Sequence, residues 1–392
     1  MKRLQRLSIA ILVLGGMLAF LPTIAQAQRY ITCSSTVTIA GNITAAAATA
    51  ARTLFVSGTC VENVTVRIRV IIDGRGTATL KAKDPTAAAI VFTTSSEGQI
   101  QNFKSITGSN TDCIQVTRGG VARILKNTIQ GCFNDGVSVT QNAFARIENN
   151  TIKNNGFRDA KCEGGIDELN GVVAFEPGDQ CPAGGGGVFI SEGSVARVGG
   201  TDAATGDSLG NDIMGNGSYQ VRVRRGSTAR VERNLLDGSG SLDGSRGLRV
   251  AETSNVTANE NTIRDHLNDG AAGGEGIEVR DTASLVMGSR TSKVDVTGAL
   301  IVAENRNHVT NNGSATGGSG LRCRFGGTVI FIPPNTIPGF EGQTLIDGNN
   351  GTPEDGVVVK TSDVRGISLT VGGTAITQKG GNTGACQSDI PA

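Results

Sequence analysis

The sequence has 392 residues, of which 56 are Gly, 9 Pro, 12 Phe, 2 Tyr and none Trp, and its formal charge is +1. Its 38% hydrophobic and 18% charged content excludes a disordered chain, and glycines without a three-residue period exclude collagen. The scarcity of aromatic residues argues against neutral-sugar binding on aromatic platforms and against base stacking.

The first predicted element is a secretory signal peptide over residues 1–27. Three cations precede an apolar run over residues 7–21, and the small-residue site Ala25-Gln26-Ala27 follows, with cleavage expected after Ala27. The run is too short for a membrane span, and no other apolar run follows it. Removing three cations from 36 leaves 33 basic against 35 acidic residues, a net charge of −2. We therefore expect a secreted or periplasmic protein with no membrane span and no nucleic-acid partner.

The eight cysteines predict disulfides, because an even count in an exported chain is typical of a disulfide framework. Two histidines and no CxxC spacing argue against a zinc site. The sequence does not fix the connectivity, but chain order groups the cysteines into four local pairs, Cys33–Cys60, Cys113–Cys132, Cys162–Cys181 and Cys323–Cys386.

A repeat organises the middle of the chain. The segments VTRGGVARILKNTIQGCFNDG and VSVTQNAFARIENNTIKNNG each contain a V-x-V-like strand, an A-R-I strand, an Asn two residues before Ile, and a Gly/Asn turn. Successive copies start 23, 51, 33, 27, 29, 44 and 36 residues apart, which predicts solenoid coils carrying loops of different length. The residues that precede the first strand of each copy are Cys113, Gly136, Gly187, Gln220, Gly247, Gly276, Gly320 and Gly356.

Each repeat holds three short strands of period 2, which bury their apolar side only by stacking in parallel on the next repeat. Because such connections are right-handed, we predict an all-β, right-handed parallel β-helix of about 8–10 coils. A ladder of stacked amides supports it, formed by Asn127, Asn150, Asn211, Asn234 and Asn261. In the next copy Asn305 and Asn307 are expected one residue out of register, at a bulge.

We predict one β-helix domain over residues 28–392. Residues 28–60 form an N-terminal cap tied by Cys33–Cys60, residues 61–372 form the coils, and residues 373–392 form a C-terminal tail clipped by Cys323–Cys386. We expect a monomer.

The V-x-V, A-R-I, N-T-I and N-D-G elements across residues 113–280 resemble the pectate lyase-like β-helix proteins of the pectin lyase-like superfamily. The segment FVSGTCVENVTVRIRVIIDGRG is similar to the opening of many secreted bacterial members, and the resemblance spans roughly residues 54–360. It implies that the V-x-V strands form the first sheet, that the Asn ladder lies between the second and third sheets, and that a substrate groove follows the outside of the first sheet.

Alternation along the first-sheet strands places a basic surface on this outward face. A row of arginines suits the carboxylates or sulfates of an acidic polysaccharide or surface glycan, because the guanidinium binds such groups through two parallel hydrogen bonds. The alternative is a solvated face neutralised by Glu278 and loop acids. The predicted substrate-binding residues are Arg222, Arg224, Arg322, Arg324 and Lys360, and Arg249 and Arg280 belong to the same basic face.

The resemblance also implies a lyase mechanism, in which an arginine of this face abstracts a proton while calcium bridges the uronates. His266 and Asp269 belong to a loop predicted beside the groove, with an exposed loop histidine as the alternative for His266; His308 is expected to be structural. The candidate catalytic residues are Arg249, Arg280, His266, Asp269 and Glu278.

A second enzyme comparison is with polygalacturonases. The segment around Asp112 resembles their N-T-D and D-D-C-I signatures, and Asp135 lies where they carry G-H-G. The histidine and the R-I-K motif are missing, so paired-carboxylate hydrolysis is disfavoured. We expect both aspartates to shape turns instead.

The insertion over residues 157–186 offers a calcium site as the one cofactor that the sequence suggests. Its weak candidate ligands are Glu163, Asp167 and Asp179, although the D-x-D-x-D-G spacing is missing and a solvated loop is the alternative. We thus expect a non-catalytic protein that binds or presents to acidic polysaccharide, with a polysaccharide lyase acting on uronate polymers as the alternative.

Overall fold

The computed structural model describes most of residues 28–288 and shorter segments after them. The described ranges are 28–49, 52–94, 97–156, 185–241, 245–266, 274–288, 292–294, 300–302, 307–310, 312, 320–324, 327–331, 345–347, 357–359, 364–365, 370–371 and 374–375. The predicted signal peptide, most of the insertion after residue 156 and most of the C-terminal tail lie outside these ranges.

Three parallel sheets form the body of the protein, each receiving one strand from each coil. The described strands of the first sheet are Val64–Val66, Ile90–Thr93, Ile114–Thr117, Val137–Val139, Val188–Ile190, Tyr219–Val223, Arg246–Val250, Ile277–Arg280, Leu321–Arg324 and Val357–Val359. Those of the second sheet are Gln28–Thr32, Thr53–Ser57, Ile71–Asp73, Glu97–Gln101, Val121–Leu125, Phe144–Glu148, Val195–Gly199, Thr228–Glu232, Asn255–Asn259, Ser284–Met287, Thr328–Phe331 and Val364–Arg365. Those of the third sheet are Thr59–Val61, Thr79–Lys81, Ser105–Thr107, Thr128–Gln130, Thr151–Lys153, Asp212–Met214, Leu235–Asp237, Thr262–Arg264, His308–Thr310 and Leu345–Asp347.

Two short antiparallel pairs complete the described strands. Ser292–Val294 pairs with Leu300–Val302, and Thr370–Val371 pairs with Thr374–Ala375. With ten strands in each of the first and third sheets and twelve in the second, the described part of the chain is a parallel β-helix, as the sequence predicts.

The register of the first sheet agrees with the repeat at every described copy. The predicted inward residues pair in one column, Ile114, Val137, Val188, Val221, Leu248, Ile277, Leu321 and Val357. Those of them whose burial is described are buried, and they join the apolar residues of the other two sheets in one core. The outward column of the first sheet is therefore set by the alternation of the sequence.

The predicted Asn ladder runs through the bend between the second and third sheets. The Nδ2 of Asn127 donates to Oδ1 of Asn150 at 3.1 Å, and that of Asn150 donates to Oδ1 of Asn211 at 3.0 Å. The ladder continues through Asn234 and Asn261. Nδ2 of Asn261 donates to Oδ1 of Asn307 at 3.0 Å, so the expected displacement of Asn307 is wrong and the ladder passes through it in register.

The N-terminal cap contains a helix that the repeat pattern does not predict, Ile39–Thr49. The carboxylate of Glu62 accepts hydrogen bonds from the backbone N–H groups of Ile39 at 2.6 Å and Ala40 at 2.9 Å, which satisfies the helix N-terminus. Ile39 and Ile43 are buried in the core, so the helix covers the apolar end of the stack.

Two of the four predicted disulfides are present, Cys33–Cys60 in the cap and Cys113–Cys132 beside the first and third sheets. The other two pairs, Cys162–Cys181 and Cys323–Cys386, involve side chains outside the described residues. Within the part of the chain that the structure describes, no helix has the length and apolar character needed to cross a bilayer.

Candidate functional site

Arginines of consecutive coils meet on the outward face of the first sheet. Arg222, Arg249, Glu278 and Arg322 are register partners on successive strands, which lie about 4.8 Å apart in a parallel sheet. We use the name arginine face for this surface, which comprises Arg222, Arg224, Arg246, Arg249, Arg280, Arg322, Glu275 and Glu278.

Two glutamates with fully buried side chains hold the centre of the arginine face. Oε2 of Glu278 lies 2.8 Å from Nε of Arg246 and 3.0 Å from Nε of Arg249. Oε2 of Glu275 lies 3.1 Å from Nε of Arg246, and Oε1 of Glu275 accepts a hydrogen bond from Nη1 of Arg322 at 2.6 Å. A carboxylate is stable away from water only when cations or hydrogen bonds compensate its charge, so this network fixes the positions of three arginines.

The arginines are rigid but still accessible. The side chains of Arg224, Arg246, Arg249, Arg322 and Arg280 keep between 15% and 26% of their surface exposed. The Nε atoms of all but Arg280 are shielded from solvent, so the terminal amino groups are the polar atoms of those guanidinium groups that a ligand can contact. Such an array pays little conformational entropy on binding an anion.

Aromatic rings support the N-terminal end of the arginine face. The guanidinium carbon of Arg222 lies 5.6 Å from the ring centroid of Tyr219 and 5.9 Å from that of Phe189, while that of Arg224 lies 5.2 Å from Phe189. The two ring centroids are 6.4 Å apart. These cation–π contacts help to orient both arginines, and Nη1 of Arg224 also lies 3.9 Å from Oε1 of Glu252.

Two buried aspartates lie next to this aromatic support, and both shape turns. Oδ1 of Asp135 accepts hydrogen bonds from Tyr219 Oη at 2.8 Å and from the N–H of Gly186 at 2.7 Å. Asp112 accepts from the N–H of Asp135 at 3.1 Å and from Nε2 of Gln115 at 2.9 Å. Burial raises the pKa of Asp112, and burial together with the charge of Asp112 raises that of Asp135 further. Their oxygens serve the turns, as the sequence indicates.

Within the arginine face, the pKa of Arg249 is lowered from its ordinary value. Burial lowers its pKa to about 10, and the charges of Arg222, Arg246 and Arg280 add to this, while Glu278 opposes it. At pH 7 a group with this pKa is still protonated in all but about one molecule in a thousand. Arg249 is therefore a cation at neutral pH, suited to binding an anion more than to abstracting a proton.

The other catalytic candidates are less accessible than the sequence indicates. Glu278 has no exposed side-chain surface, and Nε of Arg280 lies 2.6 Å from Oδ2 of Asp281. His266 lies just after the strand Thr262–Arg264, at the start of the predicted loop, but its side chain is fully buried. Its Nε2 lies 3.3 Å from the carbonyl oxygen of Leu236 and its Nδ1 3.3 Å from Oγ of Ser245.

His266 belongs to a second interior ladder, located after the third sheet. Nδ2 of Asn155 donates to the carbonyl of Ile129, and Nδ2 of Asn312 donates to the carbonyl of Ile263, each the apolar third-strand residue of the preceding coil. Leu236 is the apolar third-strand residue of the coil before His266. Nε2 of His266 donates to its carbonyl, as Nδ2 of asparagine does in the other coils. Burial lowers the pKa of His266 to about 4, against the effects of this hydrogen bond and of Asp237. The imidazole is neutral and structural in this arrangement.

Several sequence predictions fall outside the described residues. These are Asp269, Lys360, the side chain of Arg324 and the calcium candidates Glu163, Asp167 and Asp179. Among the described residues, a cluster of potential metal ligands occurs at Cys33, Cys60 and Glu62. There the two sulfurs are bonded to each other and Glu62 caps the helix, so these donors are already engaged.

Sequence reasoning misses Arg246, Glu275 and Tyr219. Strict alternation turns Arg246 towards the core, since it lies two residues before the inward Leu248, but alternation fails at a strand end. Glu275 precedes its strand, where no period applies. The short spacing between Glu275 and Glu278 is the one signal that marks a paired-carboxylate centre.

None of the protein-family models, curated proteins and solved structures compared with the chain matches it.

Proposed function

We propose that this chain is a secreted, non-catalytic β-helix protein of the pectate lyase-like group, and that it binds acidic polysaccharide along the arginine face. The observation that carries the proposal is the excess of fixed cations. Six arginines lie on this face against the two buried glutamates, and Glu252 and Asp281 add two carboxylates at its edge. In a mature chain expected to be slightly acidic, such an excess favours a polyanionic ligand.

The ligand class follows from the geometry of the arginines. Arg222 and Arg249 are register partners about 4.8 Å apart along the axis, and Arg322 lies two strands beyond Arg249, across Glu278, a spacing that suits a linear polymer bearing carboxylates or sulfates along its length. Guanidinium groups bind both anions through paired hydrogen bonds. The chain has no Trp and Tyr219 is buried at this face, which leaves charge as the main source of affinity for a sugar polymer.

Export to an oxidising compartment is part of the proposal. The disulfides Cys33–Cys60 and Cys113–Cys132 fit a protein that folds outside the reducing cytosol. The expected signal peptide points in the same direction.

A binding comparison tests the proposal. Wild-type protein and the variant Arg222→Ala/Arg249→Ala are titrated with polygalacturonate and with a neutral glucan, and Arg67→Ala/Lys104→Ala serves as a variant with the same charge change at exposed positions. We expect binding of the acidic polymer alone, weakened at least tenfold in the arginine-face variant and little changed in the control. Equal affinity in all three proteins would overturn the proposal.

A lyase is the second candidate, and the lowered pKa of Arg249 is the observation that favours it. A lyase cleaves the uronate chain by proton abstraction and leaves an unsaturated product that absorbs in the ultraviolet. Incubation with a panel of uronate polymers at pH 7 and pH 10, with and without calcium, tests it. No absorbance gain under any condition excludes the lyase, and a gain abolished by Arg249→Lys would replace the binding proposal with catalysis.

A further inference from the structure

A second row of arginines runs along the outward face of the second sheet. Arg123, Arg146, Arg197 and Arg230 are register partners on four successive strands. At about 4.8 Å per strand the row extends over about 14 Å. Like charges in register repel each other, so the row needs counter-charges.

The carboxylates of the same face neutralise only part of the row. Glu148 and Glu232 lie in the next outward column, with side-chain exposures of 2% and 11%. Nε of Arg123 lies 2.7 Å from Glu148, Nη2 of Arg230 lies 2.6 Å from Glu232, and Nε of Arg197 lies 3.5 Å from Glu232.

The central arginine of the row has no such partner. The side chain of Arg146 makes no ion pair or hydrogen bond with any residue that the structure describes, and it is exposed. It lies between Arg123 and Arg197 in the row. The four arginines of the row thus share two carboxylates, those of Glu148 and Glu232. The row therefore has an uncompensated positive charge at its centre.

An apolar row lies directly beside these cations. Val121, Phe144 and Val195 are register partners on the same strands, and Phe144 and Val195 are 36% and 42% exposed. Single exposed apolar residues are common, but three in one column form a continuous strip. The strip and the arginine row thus present an apolar edge and a cationic edge side by side.

A cavity of about 370 Å³ opens at the N-terminal end of both rows. Its lining includes Arg52, Arg123, Arg146 and Phe144, together with Arg69 and Glu97, which form an ion pair at 3.2 Å. The side chain of Arg52, like that of Arg146, has no ion-pair or hydrogen-bond partner among the described residues. The volume is that of a site for one small ligand unit, with unpaired cations on its wall.

We propose that the outward face of the second sheet is a second binding surface for a linear anionic polysaccharide, which lies along the arginine row with its first unit in this cavity. Carboxylates or sulfates of the polymer supply the charge that Arg146 lacks. The C–H faces of the sugar rings cover Val121, Phe144 and Val195. This inference shares its ligand class with the proposed function but places a second polymer chain on a different face.

The two surfaces are separate because the first and second sheets bury their inward residues in the same core and so face outward in different directions. The turn between them carries its own ion pairs, with Arg225 lying 3.4 Å from Glu192 and 3.6 Å from Glu252. One molecule with both surfaces binds two chains and links them.

Calorimetric titration with size-defined galacturonate and heparin oligosaccharides counts the sites for carboxylated and sulfated ligands separately. We expect two oligosaccharides per wild-type molecule with at least one of the two ligands. The variant Arg146→Glu should bind one. The matched control is Arg118→Glu, which makes the same charge change at another exposed arginine without a side-chain partner among the described residues.

The result that overturns the inference differs from the one that overturns the proposed function. A single site in the wild type, unaffected by Arg146→Glu and lost in Arg222→Ala/Arg249→Ala, refutes the second surface and leaves the arginine face intact. A site that survives Arg222→Ala/Arg249→Ala and disappears when Arg146→Glu is added supports the second surface. Equal loss of binding in Arg146→Glu and Arg118→Glu also refutes it, because net charge alone would then account for the effect.

Discussion

The buried imidazole of His266 makes the stability of the coil stack depend on pH. Burial lowers its pKa to about 4 in the folded protein, whereas an unfolded histidine has a pKa of about 6.5. Between these values the unfolded chain binds the extra proton. The stabilisation is therefore complete above pH 6.5 and is lost as the pH falls towards 4. At 1.36 kcal/mol per pKa unit, we expect a loss of about 3 kcal/mol over this window.

The variant His266→Asn isolates this contribution. Asn155, Asn216 and Asn312 occupy the corresponding ladder position in other coils, so an asparagine preserves the donor to the carbonyl of Leu236. The smaller side chain costs about 1 kcal/mol in packing at every pH. The wild type should thus be the more stable protein at pH 7 and the variant the more stable one at pH 4.

Urea unfolding of both proteins at half-unit steps from pH 4 to pH 7 measures the difference. His308→Asn replaces the other histidine, which is half-exposed on the third sheet, and serves as the control. Parallel pH profiles of the wild type and His266→Asn would refute the argument that burial of this imidazole causes the acid sensitivity.

Three further changes test the interior. Asn211→Ala removes a ladder amide and leaves the buried backbone N–H of Asn150 without its acceptor, so urea unfolding should show a loss of about 3 kcal/mol. Glu278→Ala leaves Arg249 beside other partly buried cations without this carboxylate, and a loss of about 3 kcal/mol is expected in the same assay. The double variant Cys113→Ser/Cys132→Ser lacks the disulfide. Its free energy of unfolding should be about 3 kcal/mol lower than that of the wild type, measured by thermal unfolding at the wild-type midpoint.

Controls separate these effects from general damage. Asn255→Ala alters an exposed strand position and should leave stability within about 0.5 kcal/mol, so an equal loss there would contradict the role of the ladder. Glu278→Gln keeps the shape of the side chain; full stability in that variant would show that its charge is not needed. A disulfide variant as stable as the wild type would indicate that the coil is held by packing alone.

The register of the coils could be predicted because burial acts on each strand alike. Ile114, Val137 and Val188 repeat with period 2 inside a recurring unit, and one core requires them to face inward together. The positions of Arg222 and Arg249 on the outward face follow directly. For this part of the fold and of the site, the alternation within one strand sets which residues face outward, and stacking repeats that arrangement from coil to coil.

The state of each side chain could not be predicted in the same way, because it depends on the neighbouring coils. His266 is buried because its imidazole reaches the carbonyl of Leu236 thirty residues earlier. Arg246 forms ion pairs with Glu275 and Glu278 because the strands Arg246–Val250 and Ile277–Arg280 begin next to each other. The cap helix begins where Glu62 meets its N-terminus, a contact that no repeat encodes.

Arginine footprinting tests the central claim most directly. The protein is treated with an arginine-specific dicarbonyl reagent, with and without polygalacturonate, and modification is measured by mass spectrometry. Ligand protection of Arg222, Arg249 and Arg322, with Arg67 and Arg75 modified to the same extent in both samples, is the result that we predict. Unchanged modification of the first three arginines under saturating ligand would contradict binding at the arginine face.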